Sequence, residues 1–306
     1  MSCAVTGSVH TPSLSPALPI TAEEIATQSI AAVKAGAAVL HLHARNPKDG
    51  RPDARPATYR PFVEEIAART DAIINITTGG STDMTVEDRL AAAKELSPEL
   101  ASLNMGSMNF VFEGIAAKRS VWEYDWEEPY IRGSSSRIFA NTFDQIEYTM
   151  RELGDGHGTR FEFECYDVGH LYSLAHFVDR GLVRPPFFIQ SVLGIIGGIG
   201  ADMANLSHMM TIADKLFGED YYLSCFAAGR NQKSFAAHSV AAGAHVRVGL
   251  EDNLYAGRGR LATGNDQQVE YARGIVHALD REVAAPADVR DMLGLKGAAA
   301  TAIGRS

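Results

Sequence analysis

The chain has 306 residues, of which 46% are apolar and 21% charged, so it can bury a large core and is not intrinsically disordered. Its formal charge of −9 argues against nucleic-acid or anionic-membrane partners, because no basic stripe offsets it. The three cysteines form no Cys-x-x-Cys pair, and the N-terminus has neither a basic region nor an apolar leader. We therefore expect a cytoplasmic globular protein.

Short apolar strands alternate with amphipathic helices along the chain. The first half predicts strands Cys3–Val9, Ala38–Ala44, Ala72–Thr77 and Leu100–Met105, and helices Ala22–Ala35, Thr58–Ala68 and Val86–Leu96. The second half predicts strands Arg160–Tyr166, Pro186–Leu193, Tyr221–Ala227 and His245–Leu250, and helices Leu171–Arg180, Met203–Phe217, Lys233–Ala242 and Asp266–Leu279. Eight such units predict one (β/α)8 TIM barrel over residues 1–306, with a doubly wound open sheet as the alternative.

A long insertion, residues 107–140, follows the fourth predicted strand. Its aromatic residues Trp122, Tyr124, Trp126 and Tyr130 lie among charged residues. Because loops after barrel strands lie at the C-terminal face, the insertion is predicted to be a lid or an oligomer contact.

Polar residues recur at a spacing of two where the predicted strands end. This pattern indicates a pocket lined by polar side chains rather than a barrel interior filled by apolar ones. His41 and His43 lie on one face of the second strand and can share a metal ion, with Glu251 as the third ligand. Zinc suits such ligands, although manganese or iron would also accept them. The alternative is a pair of histidines that only form hydrogen bonds in a pocket.

Two adjacent carboxylates, Glu251 and Asp252, follow the eighth strand. One can bind a metal while the other acts as a general base. Arg247 lies four residues earlier and could orient or neutralise a carboxylate. A buried structural ion pair is the alternative interpretation.

Glycines and arginines cluster after strands 6 to 8, among them Gly197, Gly198 and Arg230. Barrels often bind phosphate at these loops, although such loops are more often simple turns. The chain has no Gly-x-Ser-x-Gly motif, and no lysine lies inside a predicted strand. The residues alone therefore indicate a metal-assisted lyase, transferase or hydrolase acting on a small polar substrate.

An ordered set of motifs lies in register with the predicted strands. Its members are Val5-Thr6-Gly7, Leu18-Pro19-Ile20-Thr21, His41-Leu42-His43-Ala44-Arg45, Thr77-Thr78-Gly79-Gly80, Ala101-Ser102-Leu103-Asn104, Met108-Asn109-Phe110, Glu162-Phe163-Glu164-Cys165-Tyr166, Gly197-Gly198 and Arg247-Val248-Gly249-Leu250-Glu251-Asp252-Asn253. Over nearly the whole chain, this set resembles the beta-keto acid cleavage enzyme family.

The resemblance implies a zinc-dependent barrel that condenses a β-keto acid with acetyl-CoA and yields acetoacetate and a new acyl-CoA by a retro-Claisen step. It implies that His41, His43 and Glu251 hold the zinc. Asp252 would take a proton from the acetyl-CoA methyl, oriented by Arg247.

Further roles follow from the same resemblance. Glu164 would support the catalytic pocket. The substrate would be bound by Thr77, Gly80, Ser102 and Asn104, and the CoA phosphates by Arg230, Gly197 and Gly198. Family members are commonly tetramers, so a homo-oligomer is expected.

The sequence departs from the family pattern at His10. The family's best-known member has a glutamate at this position, where it meets an amino group of its substrate. Because a histidine cannot supply that negative charge, we predict that His10 faces a substrate whose distal end is not a cationic amine. The alternatives are contact through water or an acid from the insertion, such as Glu127.

Two other functions remain possible from the sequence alone. A metal-dependent class II aldolase or hydrolase on the same barrel would bind zinc without needing acetyl-CoA. A catalytically silent barrel would bind metal or ligand without turnover, but it would not need the Glu251–Asp252 pair beside Arg247.

Overall fold

Eight parallel strands form a closed barrel in the computed structural model, which describes residues 1–304 without the side chain of Lys118. The strands are β1 (Ser2–Ala4), β2 (Val39–Leu42), β3 (Ile73–Ile76), β4 (Leu100–Asn104), β5 (Arg160–Cys165), β6 (Phe187–Leu193), β7 (Tyr221–Ala227) and β8 (His245–Val248). Their order around the barrel is β1-β8-β7-β6-β5-β4-β3-β2. The predicted TIM barrel is therefore confirmed, and the open sheet is excluded.

Ten helices of the described residues connect or flank these strands. They are α1 (Ala22–Ala35), α2 (Pro56–Arg69), α3 (Val86–Leu96), α4 (Glu127–Arg132), α5 (Phe143–Thr149), α6 (Val168–Asp179), α7 (Met203–Phe217), α8 (Gln232–Ala241), α9 (Asn265–Ala278) and α10 (Pro286–Leu293). Helices α1, α3 and α5 each begin with a capping box, in which a threonine and the residue three positions later satisfy each other's backbone N–H groups. Between residues 1 and 304, no helix combines the length and apolar character that crossing a membrane requires.

The structure corrects three parts of the predicted element pattern. Strand β1 ends at Ala4 instead of Val9, because the chain turns at Gly7, whose φ of +64° is incompatible with a strand. The connection after β4 contains α5, which continues as a π-helix over Met150–Asp155 and was not predicted. Helix α10 was not predicted either.

The N-terminal end of the barrel is filled by apolar side chains. Val39, Ile73, Leu100 and Phe188 form a buried cluster there with Val289 and Leu293 of α10. Because this cluster seals one end, polar side chains inside the barrel can meet a ligand only from the opposite end, where β2, β5 and β8 finish.

The insertion between β4 and α5 starts and ends as a two-stranded ribbon, Met108–Asn109 with Ile138–Phe139. Between these strands lie the 3-10 helices Glu113–Lys118 and Gly133–Ser136 on either side of α4. Two further ribbons, Ala44–Arg45 with Pro52–Asp53 and Tyr255–Gly257 with Arg260–Leu261, extend from the same end of the barrel. Short 3-10 turns cover Pro12–Leu14, Gly229–Asn231 and Ala298–Ala300.

Candidate active site

Two histidines and a glutamate converge at the C-terminal end of the barrel. Nε2 of His41 and Nε2 of His43 each lie 3.5 Å from Oε1 of Glu251. The ligand atoms of the three residues all lie within 4.8 Å of one another. Oε2 of Glu251 is buried and has no hydrogen-bond partner among residues 1–304. This donor set, with its orphaned oxygen, fits a divalent metal ion that keeps an open coordination position.

The orientation of His41 is fixed from below by Glu162. Nδ1 of His41 donates to Oε2 of Glu162 over 3.0 Å, and Nδ2 of Asn75 donates to the same oxygen over 2.6 Å. A carboxylate behind a histidine ligand fixes its tautomer and leaves the Nε2 lone pair free for a metal. Glu162 and Asn75 were expected only among the polar residues that line the strand ends, without a role in holding His41. The available signal was an acidic side chain on the inward face of a strand, which needs a partner when buried.

Two glycines allow Glu251 to approach β1. Gly7 has a left-handed backbone, and a Cβ atom there would collide with the side chain of Glu251. A Cβ atom at Gly249 would collide with the backbone of Ala4. Only glycine therefore fits at these two positions while Glu251 keeps its place.

Arg247 is the centre of a buried charge cluster. Its guanidinium is surrounded by four carboxylates, those of Glu162, Glu164, Glu251 and Asp252, at distances of 3.9, 2.8, 2.8 and 3.0 Å. Both oxygens of Asp252 accept a hydrogen bond from it. One guanidinium cannot compensate all the carboxylates that stay ionised around it, so a divalent cation at the neighbouring triad would offset the excess negative charge.

Burial and neighbouring charges separate the protonation behaviour of the two adjacent carboxylates. Burial raises the pKa of Asp252 to about 7; Arg247 opposes this increase and Glu251 adds to it. Burial would also raise the pKa of Glu251, but His43, His41 and Arg247 hold it well below its usual value. Glu251 is therefore ionised as a metal ligand should be, while Asp252 can accept a proton near neutral pH.

The two histidines shift in opposite directions. Burial lowers the pKa of His43, which favours the neutral imidazole that binds metal. Burial and Arg247 also lower the pKa of His41, but Glu251 and Glu162 raise it more strongly, so it lies above its usual value.

A cavity opens above the triad, and the insertion forms one of its walls. His41, His43 and Glu251 line its base. The insertion contributes Phe110, Phe112, Tyr130 and Phe139. Within this single chain, the insertion therefore forms part of the cavity wall, and its role as a lid or as an oligomer contact stays a prediction.

Most of the predicted substrate-binding residues lie at this cavity. Thr77, Gly80, Asn104 and Glu164 line it. Asn104 is 2% exposed, and its Oδ1 has no hydrogen-bond partner in the described part of the chain. Ser102 is fully buried below the lining, and its hydroxyl donates to Oγ1 of Thr77 over 3.4 Å.

Three further residues complete this part of the site. Tyr166, a polar residue at the end of the fifth predicted strand, lines the cavity and donates to Oε2 of Glu164 over 3.2 Å. Arg247 and Asp252 do not line the cavity but lie directly behind Glu164 and Glu251.

His10 does not lie in the cavity lining, where we expected it. Its Nδ1 donates to the carbonyl of Leu250 over 2.9 Å, and burial lowers its pKa to about 4. Ser8 and Val9 line the cavity instead, together with Tyr130, whose hydroxyl donates to the carbonyl of Ser8 over 3.1 Å. His10 is thus a neutral residue that holds its own loop against β8.

Among the described residues of the insertion, no carboxylate lines the cavity. Glu127 is fully buried, and its carboxylate accepts hydrogen bonds from the backbone and hydroxyl of Ser13 and from the backbone of Tyr124. Its role is to attach the insertion to the loop after β1.

The residues expected at CoA phosphates lie outside the cavity lining. A Cβ atom at Gly197 would collide with the backbone of Asn109, and one at Gly198 would lie 2.6 Å from the carbonyl oxygen of Tyr166. Close packing on the insertion and on the end of β5 therefore explains both glycines. Arg230 is exposed in the 3-10 turn after β7. The contact of these residues with CoA stays a prediction.

Comparison with known proteins identifies the class to which this fold and site belong. A family model described as beta-keto acid cleavage enzyme matches residues 1–295. The chain therefore belongs to the beta-keto acid cleavage enzyme family, as its motifs predicted, and it is an enzyme of carbon–carbon bond cleavage.

Two relatives and one solved structure match almost all of the chain. It is 52% identical to the 3,5-dioxohexanoate:acetyl-CoA acetone transferase of Paraburkholderia graminis, over 98% of this chain and 97% of the relative. It is 31% identical to the 3-keto-5-aminohexanoate cleavage enzyme of Fusobacterium nucleatum, over 97% of both chains. The ternary complex of ObcA with a C4-CoA adduct and oxalate has a TM-score of 0.74 at 23% identity, over 92% of this chain and 68% of that one, and shares its fold.

Proposed function

We propose that this enzyme is a zinc-dependent β-keto acid:acetyl-CoA transferase whose substrate has a neutral distal group, such as 3,5-dioxohexanoate. The observation that carries the proposal is the triad His41–His43–Glu251 directly beside the Arg247–Asp252 pair. The 52% identity to a 3,5-dioxohexanoate:acetyl-CoA acetone transferase supports the choice of substrate.

Atom balance determines which bonds change in this reaction. Acetoacetate receives its acetyl group from acetyl-CoA and its CH2–carboxylate unit from the β-keto acid. The new bond therefore joins C2 of the keto acid to the thioester carbonyl, and CoA thiolate leaves. The thiolate then adds to C3, and the C2–C3 bond breaks to give the new acyl-CoA and the acetoacetate carbanion. The carbon that loses a proton is thus C2, not the acetyl-CoA methyl of our initial expectation.

In this proposal Asp252 is the base for C2, which it would reach from behind Glu251, because Asp252 does not line the cavity itself. Its pKa of about 7 lets it take the proton at neutral pH and return it to C2 of acetoacetate in the last step. Arg247 binds both of its carboxylate oxygens and so fixes its position. A metal bound by the triad would supply the Lewis acidity that favours a carbanion next to a carbonyl group.

Two kinds of lining residue in the cavity bear on substrate choice. The turn at Thr77 and Gly80, with the amide of Asn104, offers hydrogen-bonding groups for the substrate carboxylate. Ser8, Tyr130 and aromatic rings of the insertion also line the cavity. These groups are uncharged, so they favour a neutral ketone over an ammonium group.

A substrate panel with purified enzyme tests the proposal. Turnover of 3,5-dioxohexanoate, 3-oxohexanoate and 3-keto-5-aminohexanoate is followed by mass spectrometry of acetoacetate and acyl-CoA, with and without acetyl-CoA. We expect both products only with acetyl-CoA, and a kcat/KM at least tenfold higher for the dioxo acid than for the amino acid. Cleavage without acetyl-CoA would indicate an aldolase or hydrolase, and a preference for the amine would contradict the neutral pocket.

Two variants separate the base from the metal site. Asp252→Asn should abolish turnover while the metal content stays at the wild-type level. His41→Ala should lose the metal, which elemental analysis measures independently of activity. Substantial activity in Asp252→Asn, or full metal occupancy in His41→Ala, would contradict these assignments. Assembly into a tetramer stays a prediction.

A further inference from the structure

Arg89 on α3 is a buried cation that the proposed reaction does not use. The residue is 6% exposed. Its Nη1 donates to the carbonyl of Ala140 over 3.2 Å and to Oδ1 of Asn141 over 3.1 Å, and both acceptors are uncharged. Its Nε is buried without a hydrogen-bond partner among the residues that the structure describes.

Burying a guanidinium on uncharged acceptors is energetically unfavourable. Burial lowers the pKa of Arg89 to about 10, so the group still carries its charge at neutral pH. The acidic side chain that acts on it electrostatically, Glu87, is exposed. Arg89 thus keeps a buried positive charge without a buried acidic partner. Such a charge is typical of a site that binds an anion from outside the chain.

The position of Arg89 identifies where this anion would bind. A Cβ atom on Gly80 would lie 3.0 Å from Cγ of Arg89, so the arginine side chain packs directly against the back of this turn. Its guanidinium lies 5.6 Å from the ring centre of Phe139. Gly80 and Phe139 both line the cavity. The positive charge therefore lies just behind the cavity wall, at the end that carries Thr77 and Gly80.

We propose that Arg89 is a positioning residue for the substrate carboxylate: it supports the Gly79–Gly80 turn and adds a positive potential behind it. The inference rests on the proposed function, because that function places the carboxylate at this turn. Arg89 acts through the turn without touching the substrate. In a buried site with little solvent screening, such a charge favours a carboxylate over a neutral group of the same shape.

Binding of two matched ligands tests this inference. Calorimetry measures the affinity of metal-loaded wild type, Arg89→Met and Arg89→Lys for acetoacetate and for its neutral analogue acetoacetamide. We expect Arg89→Met to weaken acetoacetate binding about tenfold and to change acetoacetamide binding less than about twofold. Arg89→Lys should restore most of the preference, because it keeps the charge.

The possible failures are distinguishable. An equal loss for both ligands in Arg89→Met would show that Arg89 only shapes the wall, and would overturn the inference while leaving the proposed function intact. Wild-type enzyme that does not bind acetoacetate would overturn the carboxylate assignment and the inference with it.

Asn141→Ala is the matched control for the anchoring contact. It removes one acceptor of the Arg89 guanidinium but keeps its charge, so the preference for acetoacetate should remain. A loss of preference equal to that of Arg89→Met would overturn the electrostatic role. In steady-state assays, Arg89→Met should raise KM for the keto acid about tenfold and change kcat and KM for acetyl-CoA less than about threefold.

Discussion

At the scale of single residues, His41 depends on Glu162, a buried side chain outside the cavity lining. Glu162 accepts the Nδ1 hydrogen of His41, and Asn75 holds the same carboxylate oxygen. Nε2 of His41 therefore faces Glu251, in the position from which it would bind a metal. Glu162 therefore contributes to the metal site by orienting His41, although Glu162 itself lies below the metal triad.

Replacing Glu162 with glutamine should weaken metal binding about 10- to 100-fold, because the amide no longer fixes the tautomer of His41 by charge. Competition with a chelator, read out by elemental analysis, measures this affinity. Ser224→Ala is a suitable control: Ser224 is buried in the same barrel, and its hydroxyl has no hydrogen-bond partner in residues 1–304. Wild-type affinity in Glu162→Gln would contradict the role assigned to Glu162.

The metal triad could be predicted from the sequence, whereas its supporting residues could not. His41 and His43 share a strand, and barrel closure places Glu251 near them, so local spacing and topology suffice. The contact of Asn75 with Glu162 depends on strand register, which pairs His41 with Asn75 across β2 and β3. A single sequence does not determine that register.

At the scale of elements, the insertion is attached to the barrel by one buried carboxylate. Oε2 of Glu127 accepts from the backbone N–H of Ser13, and Oε1 accepts from the Ser13 hydroxyl and from the backbone N–H of Tyr124. Through α4 this contact also positions Tyr130 at the cavity. The position of the insertion is thus coupled to the loop after β1.

Glu127→Gln should destabilise the protein by about 2 kcal/mol at pH 7, because the amide NH2 must face one of the two backbone N–H donors. Burial would raise the pKa of Glu127, but the hydrogen bonds from Ser13 and Tyr124 help to hold it below its usual value. A lowered folded-state pKa stabilises the protein above the unfolded-state pKa, and this contribution is lost as the pH falls through the folded-state value.

The stability difference between wild type and Glu127→Gln should therefore shrink as the pH falls below about 4.3. Urea unfolding between pH 7 and about pH 2.5, which spans the unfolded-state pKa and the lowered folded-state pKa, measures the difference. Glu128→Gln, an exposed neighbour on α4, is the control. A difference that stays constant over this range would rule out the carboxylate as its source.

Element boundaries were predictable wherever local signals define them. Thr21 and Thr85 form the capping boxes that begin α1 and α3, and both helices have the predicted bounds. Thr142 begins α5 in the same way, but this helix is short and passes into a π-helix, so its apolar period is irregular. Strand β1 was predicted too long because the turn at Gly7 depends on packing against Glu251, a residue distant in the sequence.

At the scale of the whole molecule, the two ends of the barrel have different tasks. The metal triad and the cavity lie at the C-terminal end, and α10 closes the other end. Arg290 of α10 holds the buried Glu99 through two hydrogen bonds of 2.9 Å and reaches Asp71 over 2.9 Å. These contacts are far from the chemistry, so they should affect stability without affecting catalysis.

Arg290→Met should therefore destabilise the protein by about 3 kcal/mol, because it leaves Glu99 buried without its partner. The metal-loaded enzyme should keep kcat and KM within about twofold of wild type. The double variant Arg290→Met/Glu99→Gln should recover at least half of the lost stability, since it removes the unpaired charge. Urea unfolding measures the loss of stability, and steady-state kinetics on the same samples measure the effect on catalysis. A large rise in KM at native conditions would contradict the prediction and show that the two ends of the barrel are coupled.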